Sequence, residues 1–392
     1  MRSNPYKLLF PIGLCLSIWG ALLWIGFAFD WFHSYPGTLH ADVMMGGFLF
    51  CFASGFLVTA VPRFTGSDIA TTGELFTIGG IGVAVLTSSF FEKSNAIHVA
   101  TALGLICLIS FGLRRFRSRS FDPPPPFLFV GFGLISGLFG IVISILADFQ
   151  IVTGSLILLG RLFYLHGMML SLVLGVGSRL IPALLGWAEL PKVQISQPNE
   201  KPAAFMQAIP KFIWINVIAL AVSFPIEVFA NTILGRGLRA AACTWIAIGA
   251  WKIHRLPRER TRLSWGLWFS CWLMLLGLLG NAALPAYGAH FLHLTFIGGF
   301  GLMTLMIASR VILSHGGHDT ELEERSKAIR YATVFIVLAA LTRAAAPLTP
   351  AIYQSHLTYA AVCWILGLTI WGSIFMTKIF QSKDKEESAE HC

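Results

Sequence analysis

Apolar stretches of bilayer-spanning length recur from one end of this sequence to the other and leave little chain for anything else. A helix rising about 1.5 Å per residue needs about 20 apolar residues to cross a hydrocarbon core roughly 30 Å thick. Such stretches cover residues 8–29, 39–61, 72–91, 95–113, 127–147, 159–182, 212–230, 233–253, 263–284, 290–313, 328–348 and 356–379. With no water to satisfy the backbone inside hydrocarbon, each is read as a helix. Apolar residues make up 56% of the chain and charged residues 12%, and the mean hydropathy is +0.73. That balance excludes a soluble globular domain. The expected fold is an all-α integral membrane protein of about twelve transmembrane helices. The first stretch is too long for a signal-peptide core and has no small-x-small cleavage site, so it is expected to stay as an anchor.

Basic residues near span ends are retained in the cytoplasm. Alternating the twelve spans puts all but five of the 28 Lys and Arg residues on one side, the exceptions being Lys93, Arg161, Arg236, Arg239 and Arg343. The expected location is therefore a bacterial inner membrane, with both termini cytoplasmic. The net charge of +9 is accounted for by this topology and by attraction to anionic lipid, without a nucleic-acid partner. The seven cysteines include no C-x-x-C pair, which argues against a disulfide framework. The charged segment 381–392 reads as a disordered cytoplasmic tail.

Basic, Pro-containing punctuation around 114–126 and basic punctuation around 252–262 divides the transmembrane domain, 1–380, into repeats of approximately 1–120, 121–255 and 256–380. Each holds four spans, which suggests a pseudo-threefold 4+4+4 bundle. In each, the second span joins a histidine near one end to an arginine near the other: His40 with Arg63, His166 with Arg179, and His290 or His293 with Arg310.

Histidine placement is the strongest chemical signal. His33, His40, His98, His166, His290, His293 and His356 project to the side poor in basic residues, and His254, His315, His318 and His391 to the other. Ionisable groups within a membrane are costly and usually face an internal site. His33, His98 and His356 sit near span ends, where an interfacial role competes with that reading. From His40, helical steps lead to Met44, Gly47, Cys51 and Gly55. From His293, with His290 one turn earlier, they lead to Ile297 and Gly301. Small residues beside a histidine would let a flat macrocycle approach the backbone, and imidazole is the usual proximal ligand of haem iron. Ordinary small-residue helix packing is the competing explanation. His40 and His293 are the expected axial pair of a b-type haem. His166 and His290 are the expected holders of copper or a second haem. Arg161, Arg343 and Arg239 are candidates to pair with haem propionates.

The residues 39–48 (Leu39-His40-Ala41-Asp42-Val43-Met44-Met45-Gly46-Gly47-Phe48), running on through Gly55 and Val61-Pro62 to Thr65-Gly66, resemble the signature of the NnrS family. So do Leu292-His293-Leu294-Thr295, Gly298-Gly299, Ser309-Arg310 and Ser314-His315-Gly316-Gly317, and more weakly Gly177-Ser178-Arg179-Leu180-Ile181-Pro182. The resemblance implies a haem- and copper-containing bacterial membrane protein of nitric oxide metabolism or protection against nitrosative stress. Its expected partners are nitric oxide or another small diatomic ligand, the lipid bilayer and an electron donor that the sequence does not identify. Where the family has His-Ala-His-Glu this chain has His40-Ala41-Asp42-Val43, so Asp42 would have to substitute for a histidine.

The plan is also similar to the catalytic subunit of haem-copper oxidases, with histidines on the second, sixth and tenth spans. The seventh span, 212–230, lacks a histidine, so a three-histidine copper centre of the oxidase kind cannot be assembled. Whether the chain is an oxidoreductase acting on nitric oxide stays open at this point. A secondary transporter, with the histidines in proton or metal-ion coupling, is the alternative of different class. The turn His315-Gly316-Gly317-His318 is either a surface metal site or a cap for the following helix.

Overall fold

The computed structural model of the chain describes residues 4–189, 206 and 209–381. Beyond Gln381, the expected tail lies outside the described residues. Among the described residues there are twelve long helices: α1 Tyr6–Ala28, α2 Gly37–Thr65, α3 Thr72–Phe90, α4 Ser94–Arg117, α5 Phe127–Asp148, α6 Ser155–Leu184, α7 Lys211–Phe229, α8 Thr232–Gly249, α9 Arg262–Ala283, α10 Pro285–Gly316, α11 Lys327–Leu348 and α12 Pro350–Gln381. Eleven are long and apolar enough to cross a membrane. The exception is α8, whose Arg236 and Arg239 turn inward onto Glu227 of α7. The protein is thus an all-α, multi-pass membrane protein.

Local chemistry sets several helix ends. Thr71 and Glu74 form a capping box at α3, Thr71 Oγ1 accepting from the Glu74 amide at 3.2 Å while Glu74 accepts from the Thr71 amide at 2.8 Å. Asn231, Thr261 and Ser326 cap α8, α9 and α11 in the simpler way.

The three expected counterparts, α2, α6 and α10, share a construction that no other described helix has. Each contains a π-helical segment, at Val43–Leu49, Phe163–Met168 and Leu294–Gly301. Each is also followed closely by a glycine with left-handed backbone: Gly66, Gly186 and Gly317. Only glycine adopts that conformation without a Cβ penalty, so the stop is written into the sequence. A π segment inserts an extra residue into the helical turn and is found mostly at functional sites. In each helix it lies beside the histidine singled out by sequence.

Packing puts these helices inside. α1 lies against α2 and α12, so the first and last helices are neighbours. Trp364 of α12 donates to Ser17 of α1 at 3.1 Å, and Trp371 to Ser309 of α10 at 2.8 Å. The glycine stripes serve this packing. A Cβ on Gly47 would meet Leu16 at 2.8 Å, and one on Gly55 would meet Phe10 at 2.8 Å; one on Gly301 would collide with the Trp364 ring. The expectation that these glycines make room for a macrocycle is therefore replaced by close helix approach, the usual role of small residues in membranes.

The two ends differ in charge. At one, Glu74 pairs with both Arg114 and Arg115, Arg119 with Asp122, and Arg310 with Glu323. The other carries the histidines of α2, α6 and α10.

Candidate functional site

At the histidine end a cavity of about 340 Å³ opens between α1, α2, α6, α10, α11 and α12. Its walls are mainly apolar and aromatic, including Trp24, Phe48, Phe296 and Trp364. Five of the residues proposed from sequence meet there: His40, His166, His293, Arg161 and Arg343. A mostly apolar concavity of roughly 300–1,000 Å³ with a few converging polar groups is the usual form of a small-molecule or cofactor site.

Two of the histidines are held in one orientation by the backbone. His40 Nδ1 donates to the Gly20 carbonyl of α1 at 2.8 Å, and the ring packs edge-on against Trp24. His293 Nδ1 donates to the Ala289 carbonyl, one turn earlier, at 2.7 Å. With its proton on Nδ1, each ring keeps its Nε2 lone pair free. A metal-binding imidazole is commonly oriented in this way, by a carbonyl that fixes tautomer and ring plane.

His166 differs. It is buried at 6% exposure, and no hydrogen bond to its ring is found among the described residues. It packs edge-on against Phe296, which also lies edge-on to the His293 ring, so one phenyl contacts both imidazoles.

The cationic wall has two members. Arg343 is buried at 9% exposure and pairs with no carboxylate among the described residues. Its Nη1 donates to His290 Nδ1 at 2.9 Å, and its guanidinium lies over the Tyr353 ring. Arg161 is exposed at the cavity edge and likewise has no acidic partner among the described residues. A buried cation with only neutral neighbours is expensive, and an anion in the cavity would offset the cost.

Other sequence candidates sit elsewhere. His290 does not line the cavity but supports Arg343 from behind. Three residues of helix turn the chain by about 300°, so His290 lies roughly 60° off the line of His293. Arg239 is almost wholly buried away from the cavity, bound to Glu227 and stacked on Phe224. His356 sits between the hydroxyls of Thr342 and Thr349, each at 2.8 Å. His315 contacts Arg63 at the basic end, while His318 Nε2 donates to the Lys378 carbonyl at 2.9 Å. The turn between them is the left-handed Gly317 cap of α10. Among the described residues no three His, Cys, Asp or Glu side chains come together so as to hold a metal ion.

Asp42 is not in the cavity wall either. It points away to His98 of α4, whose Nε2 lies 3.1 Å from Asp42 Oδ2 and whose Nδ1 lies 2.7 Å from Asp148 Oδ2. This carboxylate–imidazole–carboxylate cluster, with Asp42 and His98 buried and Asp148 at the exposed end of α5, was not legible in the sequence, where His98 reads as an interfacial residue. Its one signal was an aspartate inside an otherwise apolar span.

The sequence model described as NnrS protein matches residues 1–383. No curated protein matches the chain.

Proposed function

The chain belongs to the NnrS family, and from that premise we propose that it is a haem-binding membrane protein of the nitric oxide response. The observation that carries this reading is that His40, His293 and the buried Arg343 meet in one largely apolar cavity. The residues fit the group. Two imidazoles with their Nδ1 protons tethered to carbonyls leave two Nε2 donors for iron. Arg343, with Arg161 at the rim, supplies positive charge for propionates. A bound haem would supply an iron centre able to pass one electron, and to take a diatomic ligand when one of the two imidazoles gives way to it.

The residues around it do the rest. Trp24, Phe48 and Trp364 keep the cavity apolar and limit water. His166, whose ring is without a hydrogen-bond partner among the described residues, is the group in the wall free to meet a small ligand or a copper ion. The cofactor is non-covalent and b-type, there being no C-x-x-C-H attachment motif in the chain. The basic end faces the cytoplasm of a bacterial inner membrane, with both termini on that side and the cavity toward the periplasm.

An optical spectrum of the purified protein tests the reading. Expression with adequate haem supply should give an intense Soret band that shifts on adding nitric oxide. A pigment-free protein from such cells, unable to take up added haemin, would remove the haem reading.

A further inference from the structure

Three apolar cavities lie in sequence along α2. The histidine-lined cavity reaches Leu49 at its inner end. A second chamber of about 70 Å³ begins at the same Leu49 and extends to Leu57, between α1, α2, α6 and α10. A third, of about 470 Å³, begins at that Leu57 and lies between α2, α4, α5 and α7. The third opens sideways: Leu113 and Ile135 in its wall are 51% and 62% exposed, on the flank of the bundle that faces hydrocarbon. Leu49 and Leu57 are therefore shared partitions, each with a chamber on both sides.

The lining excludes most traffic. Among the described residues no charged side chain borders the second or third chamber; Thr304 is the polar residue in one wall, and Thr65, with the Trp214 indole, in the other. Cavities of this kind stay dry and take apolar guests. The second chamber, at about 70 Å³ the smallest of the three, has room for a diatomic molecule. Protons, ions and anions would have to enter without solvation. Uncharged diatomic gases partition into hydrocarbon, which fills the space beside the third chamber.

We propose that these chambers form the access path by which an uncharged diatomic gas, dissolved in the bilayer, reaches the histidine-lined cavity through the Leu57 and Leu49 partitions. The destination rests on the haem reading above; the path itself rests on the cavities alone. Ala53 lines the second chamber and is absent from the wall of the histidine cavity, so filling it blocks the path without touching the proposed ligand set.

The test uses the full chain in nanodiscs, with xenon as an apolar probe and carbon monoxide as a diatomic one. Xenon NMR should report a saturable site in the parent protein that is lost in Ala53→Phe and in Val173→Phe. Flash photolysis of the carbon monoxide complex should show bimolecular return slowed about tenfold in Ala53→Phe, equivalent to about 1.4 kcal/mol on the access barrier. The Soret band should be unchanged. Identical xenon binding in parent and both variants, or an unaltered return rate in a variant that has lost its xenon site, overturns the path while leaving the haem reading intact. A protein with no haem spectrum overturns the haem reading, and the xenon comparison then still decides whether the chambers admit an apolar gas.

Discussion

Arg343 lines the cavity while His290, one hydrogen bond of 2.9 Å behind it, does not. The order matters because His290 accepts through Nδ1 and holds the guanidinium from the rear while Arg343 itself remains in the cavity wall. A histidine that looks like a ligand in the sequence acts here as the support of a cation.

Removing that cation should weaken cofactor retention more than it harms the fold. Arg343→Ala is expected to lower haem affinity about 10–100-fold, the equivalent of one charged hydrogen bond of about 1.5–3 kcal/mol. Arg343→Lys should fall between, since an ammonium keeps the charge but loses the fork. Transfer of haem to a soluble scavenger protein measures this. Equal transfer rates in all three proteins would mean that Arg343 does not meet an anion.

The axial assignment predicts a spectroscopic change. His40→Ala and His293→Ala should each convert a low-spin, two-imidazole spectrum into a high-spin one or lose the pigment, while His356→Ala should do neither. Unchanged spectra in both of the first two variants would rule the pair out.

The Asp42–His98–Asp148 cluster makes a stability prediction. Asp42 is 5% exposed, and His98→Ala would leave its carboxylate buried without a partner, at a cost of about 3–5 kcal/mol. Thermal unfolding in detergent should show a clear fall, partly restored in the double variant Asp42→Asn with His98→Ala. A single variant as stable as the parent would mean that the cluster is solvated.

Helix approach can be tested at Gly140 of α5. A Cβ there would collide with the Gly160 carbonyl oxygen and the Tyr164 backbone of α6, neither of which is a flexible side-chain end. Gly140→Val should destabilise by about 1–3 kcal/mol, the usual cost of overpacking. Gly131→Val, where a Cβ meets nothing within 4 Å, should be neutral. Equal unfolding temperatures for the two variants would contradict the close packing of α5 on α6.

Topology is open to direct measurement. Reporters fused after Arg119 and Arg260 should read as cytoplasmic, and those near Pro36 and Tyr287 as periplasmic. The reverse pattern would turn the cavity toward the cytoplasm.

The sequence by itself determined the architecture, because hydrocarbon forces every backbone polar group into a helix, and helix length is then read directly from apolar length. It also picked out α2, α6 and α10, since a histidine inside an apolar span is conspicuous on cost alone. Even α8 reads as a span in the sequence, although its two arginines lower its hydropathy; that they close on Glu227 of α7 depends on which helices touch. The tertiary structure decided which polar residues share a cavity. His40, His166 and His293 face inward together, whereas His290 is turned aside by helical rotation and Arg239 is taken up by Glu227. The glycines beside the histidines bring helices close instead of making room for a cofactor. Asp42 and His98, 56 residues apart, find each other only through the packing of α2 on α4. Periodicity fixes the face of a helix on which a residue lies, but the partner across that face is set by long-range packing, which a single helix does not encode.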